Sequence, residues 1–387
     1  MLNKKYFVTA LILTVTLIFA AGVNVLQGED DDTVDGSFTT TGYNNPVEIQ
    51  ELAFEDSSGS AVTDSTSLTP QTTYTVALTI KDADTISDLY SLDVYFYRND
   101  GSRSIPGMQT SSDGEELVAS WGRDAEGNSD SVFSITTDSS TTTSDLSWGL
   151  ANHVTPSSAD ESSDTFTFQF DMTVSKVAFE NGDWQFGIVV EDGREVLAEG
   201  ESDTTVEETL AATTNPTGDT AYIYGMNWYG EIQVDSEAEF SWNGLTPGQP
   251  FIDEDDNSFS KLSHDIFYIS NGDYERSVMA DNTWNLPDGV TIPGDIQQAN
   301  LVNKDSLGAQ EFMLKVQSPA VLGIDDASTL PTLPADETYE LVETNSKTEE
   351  GGTSESYALY IKLSDSFQNA DYSGQVTFKI ANGSLVQ

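Results

Sequence analysis

The sequence predicts an all-β protein with two tandem antiparallel β-sandwich domains after an N-terminal apolar segment. Three observations predict this fold class. Apolar and polar residues alternate in short runs, turn-forming residues close those runs, and no segment shows a convincing helical period. A chain of 387 residues, of which 37% are hydrophobic, has enough apolar material to bury two cores. Disorder of the whole chain is therefore excluded.

The N-terminal segment has the pattern of an export signal. Lys4 and Lys5 precede a run without charged residues that extends from Tyr6 to Gly28, and an acidic stretch begins at Glu29. Positive charge before an apolar run keeps that end inside the cell, so the rest of the chain is translocated. The sequence therefore predicts an extracellular or cell-surface protein.

The fate of this apolar segment stays open on sequence alone. The small residues that end at Gly22 permit cleavage there, which would make residues 1–28 a signal peptide. Val23, Val25 and Leu26 lengthen the apolar run until it can span a bilayer, which would give membrane anchoring through residues 6–27. A retained pilin-like helix that carries a β-rich head is a third interpretation.

Alternating runs divide the rest of the chain into two halves. Residues 29–45 are an acidic spacer or donor segment, and residues 46–200 form the first predicted sandwich. Residues 201–218 lose the alternation and contain Asn215-Pro216, which predicts a linker. Residues 219–387 form the second sandwich. The alternating runs begin at Tyr74, Leu92, Phe166, Trp184, Tyr222, Phe240, Phe312, Tyr357 and Val376. Residues 296–310 have the one modest helical pattern.

The charge of the chain limits its partners. Asp and Glu number 65 against 15 Lys and Arg, which gives a formal net charge of −50. Such a surface repels phosphate backbones, so nucleic acid is excluded as a partner. The excess predicts adaptation to high salt, where charge repulsion is screened. An ordinary acidic secreted protein, neutralised in part by divalent cations, is the alternative.

Motifs for catalysis are missing from the sequence. The absence of cysteine excludes disulfides, thiolate metal sites and cysteine catalysis. His153 and His264 stand alone, without the spacing of a zinc site. No nucleophile elbow or phosphate-binding loop occurs. Carboxylate pairs for glycoside hydrolysis would arise by accident among so many acidic residues. We therefore predict a protein that is not an enzyme and has no catalytic residues.

Calcium is the one cofactor that the sequence suggests. Ca²⁺ takes six to eight oxygen ligands, which clustered loop carboxylates on a β-sandwich can supply. The candidate ligands lie in two clusters: Asp82, Asp84 and Asp88, and Asp253, Asp255 and Asp256. Solvated acidic loops without a specific ion are the alternative interpretation.

Six tryptophans raise the question of a carbohydrate-binding surface. Trp184 and Trp228 are in phase with apolar strand positions, which predicts core packing. Trp121 and Trp148 lie in less regular stretches flanked by glycine, which predicts exposure.

Four segments resemble known surface modules. In the second half these are Trp242–Gly248, Phe267–Gly272 and Asp371–Ile380, and in the first half Leu68–Val76. The second half is similar to the Ig-like modules of archaeal and bacterial cell-surface proteins, and more distantly to secreted fibre subunits of the TasA/camelysin type. The first half resembles generic Ig-like surface repeats. The resemblance implies Ig-like sandwiches with a structural or adhesive role, sometimes with polymerisation by strand exchange.

Two functional hypotheses follow. The first is a non-enzymatic structural subunit of a cell-surface filament, sheath or lattice, or a tethered stalk. The alternative is a surface-tethered adhesin or a glycan-binding module. Under the first hypothesis we predict a homo-oligomer or polymer formed by strand addition, with residues 36–52 as the donor strand, because an open sheet edge can pair with another chain.

Overall fold

Alternation of apolar and polar side chains gives strands that bury one face, and the observed fold follows that pattern. The structure, a computed structural model, describes residues 47–100, 105, 108–123, 129–142, 146–192, 206–210, 222–234, 240, 242–251, 261–294, 296–317, 330–349 and 351–383. No α-helix occurs among these residues, and most sheets are antiparallel. The predicted all-β class is confirmed.

The first sandwich consists of a four-stranded and a five-stranded sheet. Its strands are β1 (Glu48–Glu55), β2 (Ser67–Leu68), β3 (Thr73–Lys81), β4 (Leu89–Arg98), β5 (Glu116–Gly122), β6 (Ser134–Ile135), β7 (Gly149–Val154), β8 (Thr165–Thr173), β9 (Trp184–Asp192) and β10 (Val206–Leu210). The orders are β1-β3-β8-β7 and β10-β9-β4-β5-β6, and all these pairs are antiparallel. Strand β2 lies outside both sheets.

The first core is an aromatic cluster between these two sheets. Trp184 is fully buried, and its ring stacks on Phe96 with centroids 5.1 Å apart. Phe168 from the opposite sheet contacts Trp121 edge-on at 4.9 Å. A smaller cluster around Tyr95 covers the outer face of the five-stranded sheet. Among the described residues, the central strand β4 therefore packs apolar side chains on both of its faces.

The second sandwich consists of a six-stranded and a three-stranded sheet. Strand β11 (Gly225–Met226) precedes it in the chain, and its own strands are β12 (Gly230–Val234), β13 (Lys261–Ser270), β14 (Tyr274–Ala280), β15 (Thr283–Asn285), β16 (Gln298–Leu301), β17 (Glu311–Gln317), β18 (Glu340–Asn345), β19 (Thr353–Leu363) and β20 (Val376–Asn382). The orders are β12-β13-β19-β17-β16-β15 and β18-β14-β20, with β11 outside both. Strands β16 and β17 pair in parallel.

A buried arginine organises the second core. The side chain of Arg276 is 1% exposed and forms ion pairs with Glu343 and Glu355. Its guanidinium carbon lies 5.2 Å from the ring centroid of Tyr268 and 5.6 Å from that of Tyr357. Burial raises the pKa of Tyr357 to about 12, so this hydroxyl stays neutral beside the cation.

Polar contacts join the two sandwiches, which lie in one compact unit of residues 44–387. Strand β11 pairs in parallel with β2. The amide nitrogen of buried Asn271 donates to the carbonyls of Ala178 and Asn227, both at 2.8 Å, and its amide oxygen accepts from the Tyr229 backbone nitrogen at 2.6 Å.

An ion pair and a further hydrogen bond complete this junction. Lys176 in the first sandwich pairs with Glu231 in the second at 2.7 Å. The Asn382 side chain donates to Glu180 Oε1 at 2.7 Å. The two sandwiches are thus joined by buried and half-buried polar groups that satisfy one another.

Three sequence predictions change in this region. Tyr224 and Met226, predicted for the second sandwich, are buried in the first core, because alternation marks a strand without marking its sheet. Part of the predicted linker, Val206–Leu210, forms β10 and pairs with β9. The modest helical pattern over 296–310 does not correspond to a helix, since Gln298–Leu301 extend as β16 between two other strands. The exact domain bounds stay a prediction.

The proposed donor strand also changes. Residues 47–52 are not uncommitted, because β1 pairs with β3 of the same chain and buries Val47 and Ile49. Residues 36–46 lie outside the described residues, as does the predicted anchor at 6–27. In the part of the chain that the structure describes, no helix is long and apolar enough to cross a membrane.

Candidate functional site

The first candidate site is the acidic loop that follows β3. Asp82 is fully buried, and its Oδ1 accepts a hydrogen bond from the Asp84 backbone nitrogen at 2.8 Å. A short 3-10 turn, Ile86–Asp88, completes the loop. Burial raises the pKa of Asp88, and the nearby charge of Asp84 raises it further. The charges of Asp84 and Asp88 therefore act on each other, whereas the Asp82 side chain accepts a backbone hydrogen bond at the start of the loop.

Arg123 supplies a positive charge to this loop. Its Nε donates to the Leu89 carbonyl at 2.8 Å and its Nη2 donates to the Ile86 carbonyl at 3.1 Å. Nη1 pairs with Glu161 at 3.2 Å. The charge of Arg123 lowers the pKa of Asp88, against the larger effect of burial. The guanidinium of Arg123 is thus held at this loop by two backbone carbonyls.

The calcium predictions are therefore neither supported nor excluded. Among the described residues, no three carboxylate or imidazole side chains are grouped closely enough to hold a metal ion. Asp253, Asp255 and Asp256 lie outside the described residues. Calcium at either cluster stays a prediction.

The tryptophans are distributed differently from the prediction. Trp121 and Trp148 were expected on the surface, but they are 2% and 4% exposed. Trp121 Nε1 donates to the Asp130 carbonyl at 2.8 Å, and Trp148 packs against Trp184 at 6.0 Å. Flanking glycines gave a misleading signal, because Trp121 lies within β5 and Trp148 directly precedes β7, and both rings pack into the core. Trp184 is buried as predicted, and Trp228 packs against the second core.

The second candidate site is a groove at one end of the second sandwich. It opens where β19 ends and β20 begins, and its volume is about 1020 Å³. This volume lies at the upper end of the range of roughly 300–1,000 Å³ that is common for ligand sites. The aromatic residues that line it are Phe240, Trp242, Trp284, Phe367, Tyr372 and Phe378. All of them except buried Trp284 are half-buried.

The aromatic rings form a continuous surface. Phe240 stacks between Trp242 and Phe378, with both centroid distances at 6.2 Å and interplanar angles of 20° and 26°. Trp284 lies 5.9 Å from Trp242 and packs on Phe312 in the core behind it. The groove floor is therefore continuous with the hydrophobic core of the second sandwich.

One wall of the groove, residues 364–375, is held by buried Gln310. Its amide oxygen accepts from the Gln368 backbone nitrogen at 2.5 Å, and its amide nitrogen donates to the Tyr372 hydroxyl at 2.5 Å. Gln310 has a backbone φ of 59°, in the left-handed region, which is unfavourable for residues other than glycine. The surrounding fold maintains this conformation, and the conformation positions the Gln310 amide at the wall.

Two more contacts fix the same wall. Asn285 and Ser373 exchange backbone hydrogen bonds of 2.9 Å. The Gln375 backbone nitrogen donates to the Asp281 carboxylate at 2.9 Å, and the Asp281 backbone nitrogen donates to the Gln375 carbonyl at 2.9 Å. Gly374 lies against the Trp284 ring so closely that a Cβ there would come within 2.2 Å of it. The wall is therefore built before any ligand arrives.

The lining of the groove differs in charge from the rest of the protein. Among the described residues that line it, Asp371 is the only one with a charged side chain. The other polar side chains are amides and hydroxyls: Asn243, Thr246, Gln368, Asn369, Tyr372, Ser373, Gln375 and Thr377. In a chain with 65 acidic residues, this depletion sets the groove apart from its surroundings.

The sequence contained the groove residues without revealing the groove. Two of the segments quoted for the resemblance, Trp242–Gly248 and Asp371–Ile380, contribute most of its lining. They are more than a hundred residues apart, and no spacing within either segment indicates that they meet. The aromatic residues at both ends were the only available signal.

Comparisons with known proteins give little guidance. No protein family model and no curated protein matches the chain. Among solved structures, the CupB6 tip adhesin from Pseudomonas aeruginosa is 12% identical, with a TM-score of 0.23 over 86% of this chain and 93% of that one. The C-terminal domain of the AgI/II polypeptide BspA from Streptococcus agalactiae is 13% identical, with a TM-score of 0.20 over 87% and 96%.

A further match is a chaperone-tip adhesin complex of CFA/I fimbriae. It is 10% identical, with a TM-score of 0.24 over 84% of this chain and 97% of that one. TM-scores this low support no argument about fold or function, so the site is interpreted from its own residues.

Proposed function

We propose that the chain is an exported cell-surface protein that acts by binding, in the manner of an adhesin. The observation that carries the proposal is the aromatic groove of the second sandwich, which is open and held in place by hydrogen bonds within the protein. A preformed site binds without ordering its own loops, which favours affinity. The N-terminal export signal supports a location where such a groove meets external ligands.

The composition of the groove supports binding over catalysis. Hydrolysis of glycosidic bonds generally needs two carboxylates on either side of the bond. Asp371 is the only carboxylate among the described lining residues. A glycosidase is therefore the weaker interpretation.

Adhesion of the secreted chain to cells tests this proposal. Beads coated with the protein should bind to intact cells or to their isolated envelopes. Trp242→Ala should reduce binding at least about tenfold, because aromatic residues dominate interfaces of this kind. Tyr339→Ala is the matched control, since Tyr339 is a 40% exposed aromatic of the same sandwich outside the groove. Equal binding by all three proteins would contradict the proposal.

We also propose that the protein is adapted to high salt. Its formal charge of −50 destabilises the compact state unless salt screens the repulsion. The Debye length falls from about 10 Å at 0.1 M to about 3 Å at 1 M salt. The melting temperature should therefore rise steeply as NaCl is increased to molar concentrations. A melting temperature that does not change over that range would refute the adaptation.

A structural subunit of a filament, sheath or lattice is the second candidate function. The observation that favours it is strand β18, which pairs with β14 on one side and carries the 48% exposed Leu341. Such an edge can accept a strand from another copy. Residues 29–46 are the remaining donor segment, because residues 47–52 already serve in β1.

Truncation separates the two candidates. Chains of residues 29–387 and 47–387 retain β1 and should differ only in the donor segment. Under the filament hypothesis, only the longer chain forms polymers in molar salt with calcium, as seen by sedimentation and electron microscopy. If both chains stay monomeric, strand donation is wrong and the adhesin proposal is unaffected.

A further inference from the structure

We infer that the groove of the second sandwich binds a neutral carbohydrate chain. This inference rests on the proposed adhesive function and names the class of ligand. It is argued from the charge of the lining, from the aromatic surface and from the polar groups at the rim.

The charge of the described lining residues disfavours strongly charged ligands. No described lining residue is a lysine or arginine, so a uronate, sulfate or phosphate would bind without a counter-charge on a protein of net charge −50. A cationic ligand would be expected to meet several carboxylates, but Asp371 is alone among the described lining residues. A neutral ligand fits both observations.

The aromatic surface suits sugar rings. The faces of aromatic rings carry partial negative charge and attract the slightly positive C–H groups on the face of a sugar. The rings of Trp242, Phe240 and Phe378 are nearly parallel, but their centroids are 6.2 Å apart, which is too far for full face-to-face contact. The three half-buried rings therefore form a row whose faces are not fully covered by one another. A row of rings is suited to a chain of linked sugars, and the volume of about 1020 Å³ is larger than one sugar needs.

The rim suits hydroxyl groups. Amide side chains both donate and accept hydrogen bonds, as sugar hydroxyls do. Gln368, Asn369 and Gln375 are exposed at the rim, beside half-buried aromatic residues. Because Gln310 fixes the backbone at Gln368, at least this part of the rim has a set position.

Two treatments of the cell envelope distinguish a carbohydrate from a protein ligand. Mild periodate oxidation cleaves vicinal diols of sugars, whereas protease treatment removes proteins. We expect periodate to abolish the Trp242-dependent adhesion of the coated beads and protease to leave it intact. Loss of adhesion after protease alone would overturn the inference and leave the adhesin proposal standing.

Direct binding tests the neutral character of the ligand. The probes are hexasaccharides of neutral glucose, mannose and galactose units, compared with hexasaccharides of galacturonic acid, by calorimetry in molar NaCl. We expect at least one neutral probe to bind, with affinity at least about tenfold weaker for Trp242→Ala and unchanged for Tyr339→Ala. Preference for the uronic acid probe, or equal binding by Trp242→Ala, would overturn the inference.

A charge variant adds a control that does not affect folding of the core. Asp305 is exposed outside the groove, so Asp305→Asn should retain the fold and the affinity for the neutral probe. If no probe binds and beads still adhere in a Trp242-dependent and periodate-resistant manner, the carbohydrate inference fails alone. If adhesion is also absent, the adhesive function itself fails.

Discussion

The two sandwiches are built from the same kind of alternating strands, yet one is closed and the other is open. In the first, the described tryptophans are at most 4% exposed, and a second apolar cluster covers the outer sheet. In the second, half-buried aromatic residues line a groove between the ends of the sheets. The difference arises in loops, because Trp242 and Phe367 lie outside strands. Strands thus provide the scaffold in both halves, and loop residues decide which half has an open groove.

The first prediction compares a closed-core tryptophan with a groove tryptophan. Trp184→Ala should lower the free energy of unfolding by about 3–5 kcal/mol, because it leaves a cavity among packed rings. Trp242→Ala should cost about 1–2 kcal/mol, since its ring is half-exposed and loses less burial. Urea unfolding in molar NaCl measures both values. A larger loss for Trp242 than for Trp184 would mean that the groove is part of the core and not a site.

The second prediction concerns the different source of stability in the open sandwich. Arg276→Met should lower the free energy of unfolding by about 3 kcal/mol, because it leaves Glu343 and Glu355 near a buried position without their cation. Lys304→Met is the control, since its pair with Glu311 is on the surface and contributes at most about 1 kcal/mol. Equal effects of the two substitutions would show that the buried arginine is dispensable.

The third prediction asks whether the closed sandwich also binds a ligand. If the loop of Asp82, Asp84 and Asp88 binds calcium, then millimolar Ca²⁺ at about ten times its dissociation constant should stabilise the protein by about 1.4 kcal/mol. Matched Mg²⁺ should do less, and Asp88→Asn should remove the difference. The same melting temperature in both ions would indicate screening of charge and no specific site.

The fourth prediction tests the junction between the sandwiches by its pH dependence. The hydrogen bond from Lys176 lowers the pKa of Glu231 below its ordinary value of 4.5. The contribution of this pair is therefore complete above pH 4.5 and is lost as the pH falls through the lower pKa of the folded state.

Glu231→Gln should cost about 0.5 kcal/mol at neutral pH, because the pair is partly exposed. The difference between the two proteins should shrink as the pH falls below 4.5. Chemical unfolding of both proteins across this range gives the measurement. A difference that stays constant with pH would show that the Glu231 carboxylate charge contributes nothing.

Sequence patterns predicted the strands better than their assignment to a core. The run from Tyr74 to Ile80 has strict alternation, and it became β3 with its apolar side chains buried. Tyr224 and Met226 alternate equally well but lie in the first core, since the choice of sheet depends on the path of the chain after β10. Strand β1 was missed because Glu51 and Glu55 interrupt its apolar pattern.

The candidate sites were less accessible to sequence reasoning for a physical reason. Asp84 and Asp88 belong to one loop, so the sequence indicated that they are neighbours. Arg123, whose charge acts on Asp88, follows a strand 35 residues later, so the sequence did not indicate its contribution. The groove combines Phe240 with Phe378, and only the closure of the second sandwich brings these rings to 6.2 Å. The sequence showed which residues are aromatic and raised the question of a binding surface. Which rings are exposed depends on tertiary packing, which the sequence did not reveal.

The amide junction at Asn271 has a consequence for how the protein ages. An Asn-Gly pair deamidates when the following backbone nitrogen attacks the side-chain carbonyl. Secreted proteins are replaced slowly, so this reaction has time to proceed. Asn271 precedes Gly272, but its side chain is fully buried and held by three hydrogen bonds, which keeps it from turning toward that nitrogen. Asn243 precedes Gly244 at the exposed edge of the groove. Prolonged incubation should therefore convert Asn243 to an acidic residue long before Asn271. An old molecule then keeps its two halves joined, while its groove slowly gains negative charge.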